Sequence, residues 1–258
     1  MFFKIISYLK FLFKSKNQHR VHSPFIFNFI TKALYKKLSV SEIGELQRYK
    51  RALLKNHSKI TVIDFGAGSQ IFSSNHREIS KIAQHVSISL KRSQLLYKTV
   101  QYFQPSYILE IGTSLGVATS VIALGAPKAK IITLEGCLNT SKVAQEQLKK
   151  HGYSNIEFVV GNFKETLPKV LKNNCFDLVY FDGNHTKQAT LNYFQQCLQC
   201  AHNDSVFIFD DIHWSKDMTE AWEEIQKHEM VRVTIDTYQW GLVFFRKEQQ
   251  KEHFTIRV

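Results

Sequence analysis

Tyr107-Ile-Leu-Glu-Ile-Gly-Thr-Ser-Leu-Gly-Val-Ala-Thr119 is followed, after a short gap, by Ile131-Ile-Thr-Leu-Glu135. An apolar run carries an acid and meets a glycine-containing turn, and a helical pattern follows. A second apolar run then ends in another acid, Glu135, 19 residues after Gly116. This is the layout of a nucleoside-binding βαβ unit. Glycine lets the backbone come close to a ligand, and an acid at the tip of the second strand can accept both ribose hydroxyls. An adenosine-containing cofactor is the expectation.

The turn bears on which cofactor. Dinucleotide sites use G-x-G-x-x-G, whose close glycines cradle a pyrophosphate at a helix N-terminus. Here the spacing is Glu110-x-Gly112-x-x-x-Gly116, with serine at position 114. A cofactor without phosphates needs no such cradle. The spacing resembles motif I of the class I S-adenosylmethionine methyltransferases, although a βα turn of another α/β protein has the same outline. Thr61-Val-Ile-Asp-Phe-Gly-Ala-Gly-Ser69 repeats the strand–acid–glycine theme upstream. No second strand follows it at the right distance. The turn at 64–69 is therefore expected to be a loop beside the site or a structural turn.

From residue 94 onward, strand and helix patterns alternate. Strands are expected at Tyr107–Ile111, Lys130–Leu134, Ile156–Val160, Asp177–Phe181 and Ser205–Phe209, with helices between them. Val231–Asp236 and Gly241–Phe245 follow with too short a link for a parallel crossover, so they should form an antiparallel hairpin. The expected fold class is α/β: a Rossmann-like, mostly parallel seven-stranded sheet closed by that hairpin, preceded by a basic, largely helical extension. Residues 94–258 would be the cofactor-binding core and residues 1–93 a cap, lid or interface. The resemblance to class I methyltransferases thus extends over residues 94–246.

In open α/β sheets the ligand lies beyond the carboxyl ends of the strands. Those ends carry Glu110, Gly112, Thr113, Ser114 and Gly116, then Glu135 and Gly136, then Asn162 and Phe163. Asp182, Gly183, Asn184 and His185 follow the fourth strand, and Asp210, Asp211, Ile212, His213 and Trp214 the fifth. All should meet on one rim, with Asn162 and Phe163 suited to an adenine ring. Three carboxylates at adjacent strand ends, Asp182, Asp210 and Asp211, would repel one another without a cation, and hard oxygens suit Mg²⁺ or a similar divalent ion. The set resembles the metal-dependent O-methyltransferases of the catechol, caffeoyl-CoA and antibiotic-sugar types. The resemblance implies S-adenosylmethionine as cofactor, a small-molecule hydroxyl as acceptor and Asp182, Asp210 and Asp211 as metal ligands. Where the catechol type has a lysine as general base, three residues after the first acid, this chain has His185. His185 with Asp182 is then the catalytic pair, and a histidine that only caps or packs is the alternative.

Competing functions leave their own marks. An adenine amino-methylase would need a Pro-Pro-aromatic motif, and the four prolines are never adjacent. The cysteine dipeptides of cytosine-C5 enzymes are also missing, which leaves RNA O-methylation as the nucleic-acid alternative. A non-catalytic module of the same fold, held at a membrane by the N-terminal helix, is the other alternative, and a nicotinamide oxidoreductase fits the glycine spacing and the hairpin ending less well.

The chain has 258 residues and a formal net charge of +12. Residues 1–60 hold 13 Lys/Arg and 2 Asp/Glu, so nearly all the excess lies in that segment. Nucleic acid is therefore not an expected partner of the core. Met1–Lys14 places Lys4, Ser7, Lys10 and Lys14 in a narrow polar stripe of an amphipathic helix. Lysines interrupt it too often for a membrane span. Packing on the core or in a homodimer, lying on an anionic membrane surface, and contact with nucleic acid all stay open. No secretory signal is evident around the four cysteines, so reduced thiols in a cytoplasmic chain are expected, with peripheral contact at the inner membrane face as an option. Cys197-x-x-Cys200 lacks two further ligands for zinc and is expected to pack. His19 and His22 lack a third ligand. Residues 17–93 and 212–220 are the expected substrate lid and pocket; Phe25, Phe27, Phe29, Trp214 and Trp222 are candidates to line it, with core packing the default for such residues.

Overall fold

The computed structural model describes residues 2–63, 74–172 and 174–258. The glycine turn anticipated at 64–69 lies outside them. Helices are α1 (Phe2–Lys14), α2 (Pro24–Phe29), α3 (Val40–Leu54), α4 (Ile79–His85), α5 (Leu90–Phe103), α6 (Val117–Gly125), α7 (Leu138–Lys150), α8 (Phe163–Leu171), α9 (Lys187–Cys197) and α10 (Lys216–Lys227). Strands are β1 (Lys59–Thr61), β2 (His76–Glu78), β3 (Tyr107–Ile111), β4 (Lys130–Glu135), β5 (Ile156–Val160), β6 (Leu178–Phe181), β7 (Val206–Asp210), β8 (Val233–Asp236), β9 (Trp240–Phe244) and β10 (Glu252–Thr255).

The main sheet has the order β10-β8-β9-β7-β6-β3-β4-β5. β3 runs parallel to both β4 and β6; β9 is antiparallel to β8, as the short 237–239 link requires, and also to β7. The sheet has eight strands rather than seven, because β10 adds parallel to β8 at the edge. Its sequence, Glu-His-Phe-Thr, buries only Phe254 fully, a weak signal for a strand.

Helices cover both faces, so β6 and β7 are buried at every position and read as continuous apolar runs. One apolar cluster joins Leu109, Ile111, Val179, Phe181, Phe207 and Phe209 to α8, α9 and α10. The other joins Ile108, Ile131, Tyr180 and Ile208 to α5 and α6, and continues into Ile26, Phe29, Ile30, Leu46, Tyr49 and Leu53 of the N-terminal region. Residues of 21–62 and 79–83 therefore share the core of the sheet. Phe25 and Phe29 pack on Phe103 and Phe244, and Trp222 is buried against Phe209, so Phe29 and Trp222 are core residues and Phe25 is half-buried against the core. Cys197 and Cys200 are free and buried, in keeping with packing.

Helix starts follow local chemistry. Ser39 and Glu42 form a capping box on α3, and the side chains of Ser89, Thr186 and Ser215 cap α5, α9 and α10. α1 is anchored by the Tyr238 hydroxyl, which donates to the Lys4 carbonyl at 2.8 Å, and by Tyr8 and Phe11 packed on the Tyr238 ring. Its other face is open: Phe3, Ile5, Ile6, Leu9 and Phe13 are exposed. No helix among the described residues is long and apolar enough to cross a membrane.

Candidate active site

Three adjacent elements fix the floor of the site. Gly112 has φ +110°, and a Cβ there would overlap the carbonyl oxygen of Asp182, so only glycine lets the turn after β3 lie against the loop after β6. Ser114 also takes a left-handed conformation, φ +49°. Its N–H donates to Glu135 Oε2 at 2.6 Å, and Cys137 N–H donates to Glu135 Oε1 at 2.8 Å. The acid at the tip of β4 is thus held by backbone donors, with acceptor capacity to spare. Burial nonetheless pushes its pKa up, against the pull of those hydrogen bonds. The Tyr49 hydroxyl of α3 donates to the Leu115 carbonyl at 2.7 Å and ties the N-terminal region to the same turn.

Around this floor opens a cleft of about 620 Å³. It is lined by Gly112, Thr113, Ser114, Glu135, Gly136, Asn162, Phe163, Asp182, Gly183, Asn184, His185, Asp210, Asp211 and Trp214, so the five strand ends meet as the topology requires. Val62, Ile63, Arg77, His85 and Ile88 from the N-terminal region line the opposite side. Lys4 of α1 also borders the cleft, its Nζ 5.2 Å above the Trp214 ring.

Several expected residues take different places. Glu110 lies behind the turn, fully buried, where Thr119 and Thr133 hydroxyls donate to its Oε2 at 2.5 and 2.6 Å. Its Oε1 has no partner among the described residues, and burial raises its pKa to about 8. Gly116 opens α6 beside Leu148 and Tyr49, away from the cleft wall. The Asn162 side chain caps α8 through Lys164 N–H. Ile212 is core, and His213 turns away to Asp236, with Nε2 2.8 Å from Oδ2.

His185 and Asp182 do come together. Nε2 of His185 is 3.5 Å from Asp182 Oδ1, and the ring lies beside Trp214. Burial would lower the histidine pKa, but the hydrogen bond to Asp182 and the charges of Asp182 and Asp211 prevail and raise it.

The acid pair is arranged differently from the expected metal centre. Arg92, at the start of α5, donates from one terminal nitrogen to Asp210 Oδ2 at 3.0 Å and from the other to Asp211 Oδ1 at 2.6 Å. Its Nε donates to Gln239 Oε1 at 3.0 Å, and Trp240 Nε1–H donates to the second oxygen of Asp210 at 2.6 Å. Asp210 is buried beside Asp182; desolvation first, and that neighbour second, push its pKa well up. Asp210 and Asp211 therefore do not fit a divalent ion as expected, because the guanidinium already takes one oxygen of each, while Asp182 faces His185. No group of three His, Cys, Asp or Glu among the described residues is arranged to hold a metal. Arg92 was not foreseen: it lies 118 residues from Asp210 in sequence and belongs to no motif.

A methyltransferase-domain family model matches residues 109–212, from within β3 to just past β7. The chain carries a class I methyltransferase domain. It is 30% identical over 151 residues to the catechol O-methyltransferase of Mycobacterium tuberculosis, covering 58% of this chain and 66% of that one. It is 28% identical to the catechol O-methyltransferase of Niastella koreensis over 49% of this chain and 58% of that one. The matches thus span about two-thirds or less of these relatives. Among solved structures, the O-methyltransferase from Bacillus cereus in complex with SAH superposes with a TM-score of 0.54 at 19% identity, covering 84% of this chain and 96% of that one. TomG from Streptomyces achromogenes, in complex with SAM, superposes with a TM-score of 0.56 at 17% identity, covering 90% of this chain and all of that one. At such identities the superpositions establish the fold.

Proposed function

We propose that the protein is an S-adenosylmethionine-dependent O-methyltransferase acting on a small-molecule hydroxyl. The observation that carries this reading is the single cleft in which the Gly112–Ser114 turn, Glu135 and the His185–Asp182 pair converge. The cleft fits the cofactor: Glu135 has acceptor lone pairs for ribose hydroxyls, and Phe163 offers an apolar wall for a base. When bound, S-adenosylmethionine supplies the electrophilic methyl group. The chain's own residues do the rest. His185 accepts the acceptor's hydroxyl proton, and Asp182 stabilises the resulting imidazolium. The cleft walls hold the acceptor oxygen in line, and such positioning can be worth on the order of 7–11 kcal/mol. The relatives named catechol O-methyltransferase support a hydroxyl on an aromatic ring as the acceptor. Incubation with methyl-labelled cofactor and a panel of phenols and catechols tests this. Label transferred to oxygen supports the proposal, and label transferred only to nitrogen or nucleic acid would replace it.

A second proposal concerns where the enzyme works. The outward face of α1 presents Phe3, Ile5, Ile6, Leu9 and Phe13, the last 90% exposed, on a helix that also bears Lys10 and Lys14. Apolar anchors with flanking lysines suit an anionic membrane surface, and the same helix borders the cleft.

A further inference from the structure

We propose that Arg92 stands in the place of a divalent cation, so that methyl transfer by this chain needs no metal and the acceptor oxygen is held by a guanidinium. The inference rests on the O-methyltransferase reading and adds how its acceptor is bound.

Arg92 is only 19% exposed, Asp210 2% and Asp211 24%, so the ion pairs are largely shielded from water. The pairing is geometrically complete. Each terminal nitrogen meets a different carboxylate, and Nε is fixed by Gln239. Trp240 occupies the remaining oxygen of Asp210. A cation entering between Asp210 and Asp211 would have to expel the guanidinium. That would leave a buried positive charge unpaired next to a second one, which is strongly unfavourable. Arg92 thereby offsets, from within the chain, part of the carboxylate repulsion that called for a cation.

Arg92 also lines the cleft, as do His185 and both aspartates. A guanidinium has five N–H donors, and the described residues engage three of them. Two remain for an oxygen bound in the cleft. A divalent ion chelates two neighbouring oxygens of a catechol, whereas a guanidinium can steady one ionised oxygen. The acceptor then needs no second hydroxyl. In the transfer, the acceptor O–H proton passes to His185. The oxygen's electron pair forms the new O–C bond as the donor's C–S bond breaks, and the C–S bonding pair stays on the now neutral sulfur. Arg92 offsets the oxygen's charge until the bond forms and does not itself change.

Mn²⁺ binding to the full chain, saturated with S-adenosylhomocysteine, tests this by the electron paramagnetic resonance of free Mn²⁺. The wild type should bind no stoichiometric Mn²⁺ at millimolar concentration, and transfer to a responsive phenol should change less than twofold in EDTA. Arg92→Met, which empties the space between the carboxylates, should bind Mn²⁺ at least roughly tenfold more tightly than wild type. Arg92→Lys keeps the charge, should stay folded by circular dichroism and should bind no Mn²⁺. One-to-one Mn²⁺ binding by the wild type that Asp211→Asn abolishes would overturn the proposal. So would a folded Arg92→Met protein with no gain in Mn²⁺ binding. If Arg92→Met does not fold, the wild-type and Arg92→Lys measurements decide. Failure of S-adenosylhomocysteine to bind the wild type would instead strike the methyltransferase reading, so the two failures are separable.

Discussion

Glu110→Gln should change the pH dependence of stability in a calculable way. Glu110 is wholly buried, one oxygen is satisfied by two threonine hydroxyls, and the other lacks a partner among the described residues. Its pKa of about 8 in the fold compares with an ordinary value of 4.5. The folded state therefore holds a proton that the unfolded chain gives up at lower pH. For an acid with a raised folded pKa, the proton's contribution is fully present below the unfolded value. It is lost as pH rises towards the folded value. At about 1.4 kcal/mol per pH unit, the full loss is on the order of 5 kcal/mol. Between pH 5.5 and 8.5 it is about 3 kcal/mol. Gln keeps the shape and the acceptor for Thr119 and Thr133 but cannot ionise. Urea unfolding of both proteins at pH 5.5, 7 and 8.5 measures the difference, and titrations elsewhere cancel in the comparison. The Gln variant should gain about 3 kcal/mol relative to wild type across that range. Parallel stability curves for the two proteins would refute the assignment of a buried, proton-holding Glu110.

His185→Asn should lower kcat/KM by about 10²- to 10⁴-fold while leaving cofactor affinity nearly unchanged. Because His185 must be neutral to accept a proton and its pKa is raised, the acidic limb of the rate profile should inflect above the ordinary histidine range. Asp182→Asn removes the largest raising influence, so its inflection should move to lower pH; an unmoved inflection would remove His185 from the chemistry. Deleting residues 1–16 should abolish flotation of the protein with phosphatidylserine-containing liposomes, and the full chain should float less as salt rises. Equal flotation of both forms would dismiss α1 as the contact.

The sheet was legible because its apolar runs and acid-tipped ends obey local rules. Tyr107–Ile111 and Ile156–Val160 fall where the sequence pattern puts them. The strand-end set reached one rim because parallel topology carries all carboxyl ends to the same side. Three features escaped. β10 has only one fully buried residue to mark it. Glu110 reads as a cofactor residue at the head of its motif, yet strand alternation turns its side chain to Thr119 and Thr133. Arg92 is a long-range partner, one of 34 Lys and Arg residues, and its role depends on where α5 starts against the sheet. The acid pair was visible and its counterion was not, because charge compensation is a property of the packed chain.

Calorimetric titration of S-adenosylhomocysteine into wild type and Glu135→Ala, each in EDTA, tests the central claim most directly. The account predicts one-site binding to the wild type. It predicts affinity weaker by roughly 30-fold or more in Glu135→Ala, the loss of hydrogen bonds to a charged acceptor worth about 2 kcal/mol or more. Absence of binding to the folded wild type, or equal affinity in the two proteins, would contradict the placement of the cofactor at the tips of β3 and β4.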